Sequence, residues 1–145
     1  MKLTRFEDLK VWQLANKLSS EVSELVKTFP TYEKYDLISQ MRRSARSIPS
    51  DISEGFGRYH FNDKLTFYER GRASLGELKN HFKEALEHRY IDEVIYDKYS
   101  VKMNEIGFLI NRLIRNVRIA RDKHKEVNKT KNRFKNIINS SRRGD

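Results

Sequence analysis

Apolar side chains recur at steps of three and four residues along four long stretches of this chain, residues 9–29, 38–56, 65–86 and 95–117. This spacing places side chains on one face of an α-helix. The 145 residues include only two prolines and six glycines, too few for a chain of many turns, while Lys, Arg, Glu and Leu are abundant. The sequence therefore predicts an all-α protein built from four amphipathic helices.

Prolines and candidate N-cap residues set the predicted ends of the helices. Helix one should end at Pro30, Asn62 is a candidate N-cap for helix three, and Asp92 is a candidate N-cap for helix four. Pro49 lies inside helix two and predicts a kink, with residues 51–54 resembling a capping box that restarts the helix. Short connections between long helices predict antiparallel neighbours in an up-down-up-down bundle.

The periodic stripes also predict the core and the domain organisation. A chain of this length fits one domain, so we expect a bundle over residues 1–120. Residues 121–145 form a basic C-terminal extension, either a helical continuation or a flexible tail. The core should include Trp12, Leu18, Ile38, Met41, Leu78, Phe82, Ile106 and Leu113.

The positive charge is concentrated at the C-terminal end. Residues 121–145 carry nine basic and three acidic residues and hold +6 of the net charge of +10, which leaves +4 for residues 1–120. A basic tail on a nearly balanced body predicts a polyanion partner, with RNA the leading candidate.

The chain has no cysteine, which excludes disulfides, thiolate zinc sites and thiol nucleophiles and fits a reducing compartment. We find neither an apolar signal segment nor a run of about 20 apolar residues that would span a bilayer. The sequence predicts a cytoplasmic protein with no membrane partner.

One stripe of helix three alternates carboxylates and imidazoles: Glu77, His81, Glu84 and His88. Di-iron bundles place a His three residues after a Glu on each of two helices, whereas here each His follows its Glu by four residues, and both pairs lie on one helix. A solvated face with i,i+4 pairs is favoured over a metal site.

Two further motifs resemble catalytic sites only superficially. Residues 55–58 are glycine-rich, but they follow a helix and lack the lysine–hydroxyl pair of a phosphate-binding loop, so helix termination is favoured. The serines of helix two have no nearby His or Lys to activate them. We expect no enzymatic activity, no cofactor and no metal.

Arginine and lysine residues provide the candidate binding surface, because guanidinium groups pair with phosphate without reading bases. For the helix-two trio, a solvated or salt-bridged face is an equally good interpretation. Phe134, Ile137 and Ile138 in the tail are alternatively a docking segment for a protein. The candidate residues are Arg42, Arg43, Arg46, Arg58, Arg112, Arg115, Arg118, Arg121, Lys123, Lys125, Lys129, Lys131 and Arg133.

Two segments, residues 6–15 and 40–58, closely resemble the 23S rRNA intervening-sequence four-helix-bundle proteins, and residues 73–78 are similar to the family's helix-three element. Asp51 stands where the family usually has asparagine, and Arg46 where a small or apolar residue is common. The resemblance implies a homopentameric barrel with no established enzymatic activity. The family's relatives include the accessory variability determinants of diversity-generating retroelements, which bind a reverse transcriptase and its RNA.

We therefore expect a non-enzymatic RNA-binding protein acting through an oligomeric ring. The alternative is a protein scaffold that binds an acidic partner, such as a polymerase subunit, and no nucleic acid.

Overall fold

The computed structural model describes residues 3–34 and 36–144. Within these ranges there is no β-strand, which confirms the all-α prediction. Three short 3-10 turns, Phe6–Asp8, Val26–Thr28 and Thr31–Glu33, accompany the helices. The four helices are α1 (Lys10–Leu25), α2 (Leu37–Gly57), α3 (Phe61–Glu87) and α4 (Glu93–Arg143).

Each helix packs against its neighbour in sequence, and α1 also contacts α4, which closes a four-helix bundle. Six of the eight predicted core residues are buried: Leu18, Ile38, Met41, Leu78, Phe82 and Ile106. Trp12 and Leu113 are partly buried and pack against this core. Trp12 packs edge-on against Phe6 at 5.1 Å between ring centroids, and Ile114 takes the buried position beside Leu113.

Two predicted N-caps have different outcomes. Asp92 caps α4 as predicted, because its Oδ1 accepts a hydrogen bond from the backbone N–H of Ile95 at 2.9 Å. Asn62 is not the cap of α3. That helix begins at Phe61, and His60 occupies the N-cap position without a side-chain capping bond.

Helix α2 is unbroken from Leu37 to Gly57 with Pro49 inside it, so the predicted restart at residues 51–54 was wrong. Asp51 is a buried residue of this continuous helix. Burial raises the pKa of Asp51, an effect that Arg70 opposes and Glu54 reinforces. The ionised carboxylate is therefore less favourable in the folded bundle than in water.

We expect Asp51→Asn to raise the melting temperature at neutral pH. Because the folded pKa of Asp51 is raised, the folded state binds the proton more tightly, and the cost of ionisation appears as pH rises through that pKa. The gain should shrink as pH falls from the folded pKa and be absent below about 4, where the unfolded carboxyl is also protonated. Thermal melts across pH would check this, with Asp97→Asn at an exposed α4 position as control. Equal melting temperatures at neutral pH would contradict it.

A lysine fixes the junction between α2 and α3. Lys64 Nζ donates to the carbonyl oxygens of Gly55 at 3.3 Å and Phe56 at 2.8 Å, which satisfies acceptors at the C-terminal end of α2. Burial lowers the pKa of Lys64. The connector at residues 58–60 is therefore held between two joined helix ends.

Helix α4 extends far beyond the bundle. Its 51 residues span about 76 Å at about 1.5 Å per residue, about two to three times the length of the other helices. Ile114 is its last buried residue, and every residue from 122 to 144 is exposed. We call residues 122–144 the tail. None of the helices in the described ranges combines the length and apolarity needed to cross a membrane.

Candidate nucleic-acid interface

The predicted basic residues of helix two share one surface. Arg42, Arg43 and Arg46 line an open cleft of about 540 Å³ together with Lys34, and we call these four residues the α2 patch. Three serines complete the lining: Ser39, Ser47 and Ser50.

Two arginines of the α2 patch also hold the bundle together. Arg43 pairs with Glu77 of α3 at 3.1 Å, and Arg42 Nη2 donates to the carbonyl oxygen of Ser23 at 3.4 Å. Arg46 is exposed and makes no hydrogen bond or ion pair with any residue that the structure describes. The patch is therefore partly salt-bridged, and Arg46 is its most available guanidinium.

The four arginines spaced by three on α4 do not form one surface. Each step of three residues turns about 60° around a helix, so the first and last point to opposite sides. Arg118 pairs with Glu69 of α3 at 2.9 Å. Arg121 Nη1 donates to Asn62 Oδ1 at 3.3 Å and its Nε lies 3.3 Å from Asp122. These two residues face α3.

Arg112 and Arg115 face away from the bundle. They line an open cleft of about 410 Å³ with Phe108 and Asn111, and we call these four residues the outer patch of α4. Both arginines are exposed, and neither makes a hydrogen bond or ion pair with residues 3–34 and 36–144. Arg72 Nη1 donates to Asn111 Oδ1 at 3.2 Å, which brings a further guanidinium from α3 that the sequence did not single out.

The tail places the remaining candidates on a single helix. Lys123, Lys125, Lys129, Lys131 and Arg133 are all exposed there. Residues 122–144 contain eight basic and two acidic residues, and Lys129 pairs with Glu126 at 3.4 Å. The net charge of the tail is therefore +6.

Arg58 stands apart from the three surfaces. It pairs with Glu54 at 3.3 Å, and its guanidinium carbon lies 4.6 Å from the centroid of the Phe67 ring. The neighbouring Tyr59, which sequence reasoning missed, is 90% exposed. The one sequence signal for it is a run of basic and aromatic residues, 58–61, directly after Gly57, the last residue of α2.

The carboxylate–imidazole stripe of α3 is not fully solvated. His81 is 14% exposed and lies 3.5 Å from Glu77 and 3.8 Å from Glu84, while His88 lies 4.0 Å from Glu84. Neither ring nitrogen of His81 makes a hydrogen bond with the described residues. No group of three or more potential metal ligands gathers anywhere in residues 3–34 and 36–144.

Comparison with known proteins gives a family and a fold. The sequence model of the 23S rRNA-intervening sequence protein family matches residues 7–112. A crystal structure of a protein with unknown function from the S23 ribosomal protein family of Bacteroides thetaiotaomicron VPI-5482 is similar, with a TM-score of 0.68 and 19% identity. The similarity covers 72% of this chain and 95% of that one. No curated protein matches the chain.

Proposed function

Because the chain belongs to the 23S rRNA-intervening sequence protein family, we propose that it is a non-enzymatic RNA-binding protein that acts through basic surfaces of an oligomeric ring. In this role the protein has no catalytic activity and needs neither a cofactor nor a metal. Its proposed location is the cytoplasm. Its partner is structured RNA, bound without base readout. The bundle over residues 1–120 positions the basic surfaces, and the basic C-terminal extension begins at residue 121.

The observation that carries this proposal is the tail. Beyond His124, which contacts Phe61, the tail lacks the tertiary packing that gives most protein helices their stability, and the eight basic residues of the tail repel one another. A polyanion laid along the helix neutralises that repulsion and releases counterions. Arg112 and Arg115 begin this positive surface on the bundle, and the tail continues it.

The test is a charge reversal on the tail. Lys131, Arg133 and Lys135 are exposed, and the fold is expected to survive their replacement by glutamate because they pack against nothing in the described chain. Loss of one charged hydrogen bond costs about 1.5–3 kcal/mol, so affinity should fall at least about tenfold. Fluorescence anisotropy with two unrelated RNA hairpins should show the same loss for both, since phosphate contacts do not specify sequence.

Salt dependence separates phosphate contacts from a general charge effect. The slope of log affinity against log salt should flatten by about 0.7–0.9 for each phosphate that the variant can no longer neutralise. The matched control reverses three exposed lysines outside the basic surfaces, Lys17, Lys83 and Lys98, which changes net charge equally. If the tail variant binds both hairpins as tightly as the parent, the proposal fails. The pair Arg112→Glu and Arg115→Glu then reports separately on the outer patch.

The proposed ring rests on an exposed apolar line on α4. Val94, Val101 and Phe108 recur every seven residues on the outside of the bundle and are 77%, 69% and 68% exposed. Seven-residue spacing is the pattern of a seam between packed helices. We place the part of this line at Val94 and Val101 in a homopentamer interface, with Phe108 at its edge so that Arg112 and Arg115 stay accessible. Ring assembly would multiply weak phosphate contacts into avidity. Light scattering should give a pentamer mass, and a monomer would refute the ring.

Three finer features belong to the same proposal. The helices run up-down-up-down, because three short connectors join long neighbours, and α2 bends at Pro49. The cellular setting is that of an accessory factor to a reverse transcriptase in a diversity-generating retroelement. The alternative setting is an insertion in a ribosomal RNA gene. An adjacent reverse transcriptase gene would support the retroelement setting, whereas placement of the gene inside a ribosomal RNA gene would support the alternative.

A second candidate function is a protein scaffold. The tail carries four apolar side chains that are more than half exposed: Val127, Phe134, Ile137 and Ile138. Residues 127, 134, 137 and 138 are spaced so that they can form the apolar face of an amphipathic helix that docks on a partner. The basic face of the same helix would then favour an acidic protein. Replacing Phe134 and Ile137 by serine would abolish scaffold binding, yet it should leave phosphate-driven RNA binding unchanged.

A further inference from the structure

The connector between α2 and α3 presents an aromatic ring to solvent. Tyr59 is 90% exposed, and its ring meets the His60 ring edge-on, with centroids 5.2 Å apart and planes at 88°. Three residues separate the end of α2 from the start of α3, and Lys64 joins the two helices on either side. The ring is thus held on a short, anchored connector.

An open cleft of about 610 Å³ lies between this connector and the base of the tail. Tyr59, His60 and Phe61 line one wall, and Arg121, His124 and Lys125 of α4 line the other. Two contacts fix the distance between the walls. Phe61 and His124 have ring centroids 5.8 Å apart, and Arg121 Nη1 donates to Asn62 Oδ1 at 3.3 Å.

The electrostatics of the cleft favour an anion. Arg121 and Lys125 bring positive charge from α4, and Asp122 beside Arg121 offsets part of it. The N-terminus of α3 opens toward the same place without a side-chain cap, so its first N–H groups add partial positive charge, although Asp63 lies in that turn. The cleft therefore combines an exposed aromatic face with a cationic wall.

We propose that this cleft binds one unpaired nucleotide of single-stranded RNA, with the base stacked on Tyr59 and the adjoining phosphates beside Arg121 and Lys125. This rests on the proposed RNA-binding function and adds a preference to it. Bases in a duplex are already stacked and paired, so only a loop, bulge or single-stranded end can offer a free face to the ring. Aromatic stacking is tolerant of sequence because every base has such a face.

The experiment compares two probes on the full chain by fluorescence anisotropy. One is single-stranded oligouridine of about ten nucleotides, within the range of about 4–16 nucleotides that one OB fold covers, and the other is a blunt RNA duplex of equal length. Tyr59→Ala should weaken oligouridine binding about 5- to 150-fold, the range measured for loss of one stacked base. Duplex affinity should stay within about twofold, because phosphate contacts dominate it.

Two matched variants sharpen the result. Tyr59→Phe keeps the ring and should bind oligouridine like the parent. Tyr32→Ala removes a tyrosine that is 72% exposed near the opposite end of α2 and should change neither affinity. Circular dichroism verifies that each variant is folded.

The outcomes distinguish this inference from the proposed function. If the parent binds RNA but Tyr59→Ala binds both probes as tightly as the parent, the stacking site is refuted and RNA binding stands. Equal loss in Tyr59→Phe, or equal loss on both probes, also overturns it. If the parent binds neither probe, the proposed function itself fails and this inference fails with it.

Discussion

Replacing Phe82 by alanine is expected to remove about 3–5 kcal/mol of folding free energy, the range for truncating a buried phenylalanine. Phe82 is fully buried in α3, and its ring lies 5.0 Å from that of Tyr99 on α4. The truncation leaves a cavity and removes an aromatic pair that joins the two helices. Since domains are stable by about 5–15 kcal/mol, a large share of the total would be lost.

Urea unfolding at fixed protein concentration measures this loss, because assembly would make stability depend on concentration. The matched control is Phe134→Ala, which removes the same side chain from the tail, where it is 63% exposed. That change should stay within about 0.5 kcal/mol. A Phe82 variant as stable as the control would contradict the placement of α3 in the bundle.

The sequence predicted the core well because burial in a bundle follows helical period. Leu18, Met41 and Phe82 lie where a three-to-four spacing puts them. Helix starts were harder, since short polar residues occur at caps and inside first turns alike. Asp92 is a cap, whereas Asn62 is turned toward Arg121 by a contact that spans 59 residues. Such a contact leaves no trace in local spacing.

The same limit applies to the candidate interface. The basic residues are visible in the sequence, but their partners are not. Arg118 meets Glu69 from another helix while Arg115, three residues earlier, meets solvent, because the helix turns between them. The positive charge of the outer patch and of the tail was therefore predictable from the sequence. Which of these residues are exposed and unpaired was not. Tyr59 was missed because its exposure depends on how α2 and α3 join.

Adding one methyl group at Gly55 is expected to destabilise the bundle by about 1–3 kcal/mol, the usual cost of overpacking. A Cβ built there would lie 2.6 Å and 2.7 Å from two ring carbons of Tyr68 and 3.2 Å from Phe67 Cβ. Tyr68 is buried, so its ring has no open space to move into. The sequence suggested that this glycine ends α2, whereas the structure uses it for close approach to α3.

Gly76→Ala provides the matched control, because it makes the same change in the interior of α3 where nothing lies within 4 Å of the new Cβ. Alanine there should stabilise the helix by up to about 1 kcal/mol. Tyr68→Leu removes the opposing ring carbons, so in that background the penalty of Gly55→Ala should be much smaller, a coupling that a double-mutant cycle measures. If Gly55→Ala and Gly76→Ala shift the urea midpoint equally, α2 and α3 do not pack this closely at Gly55.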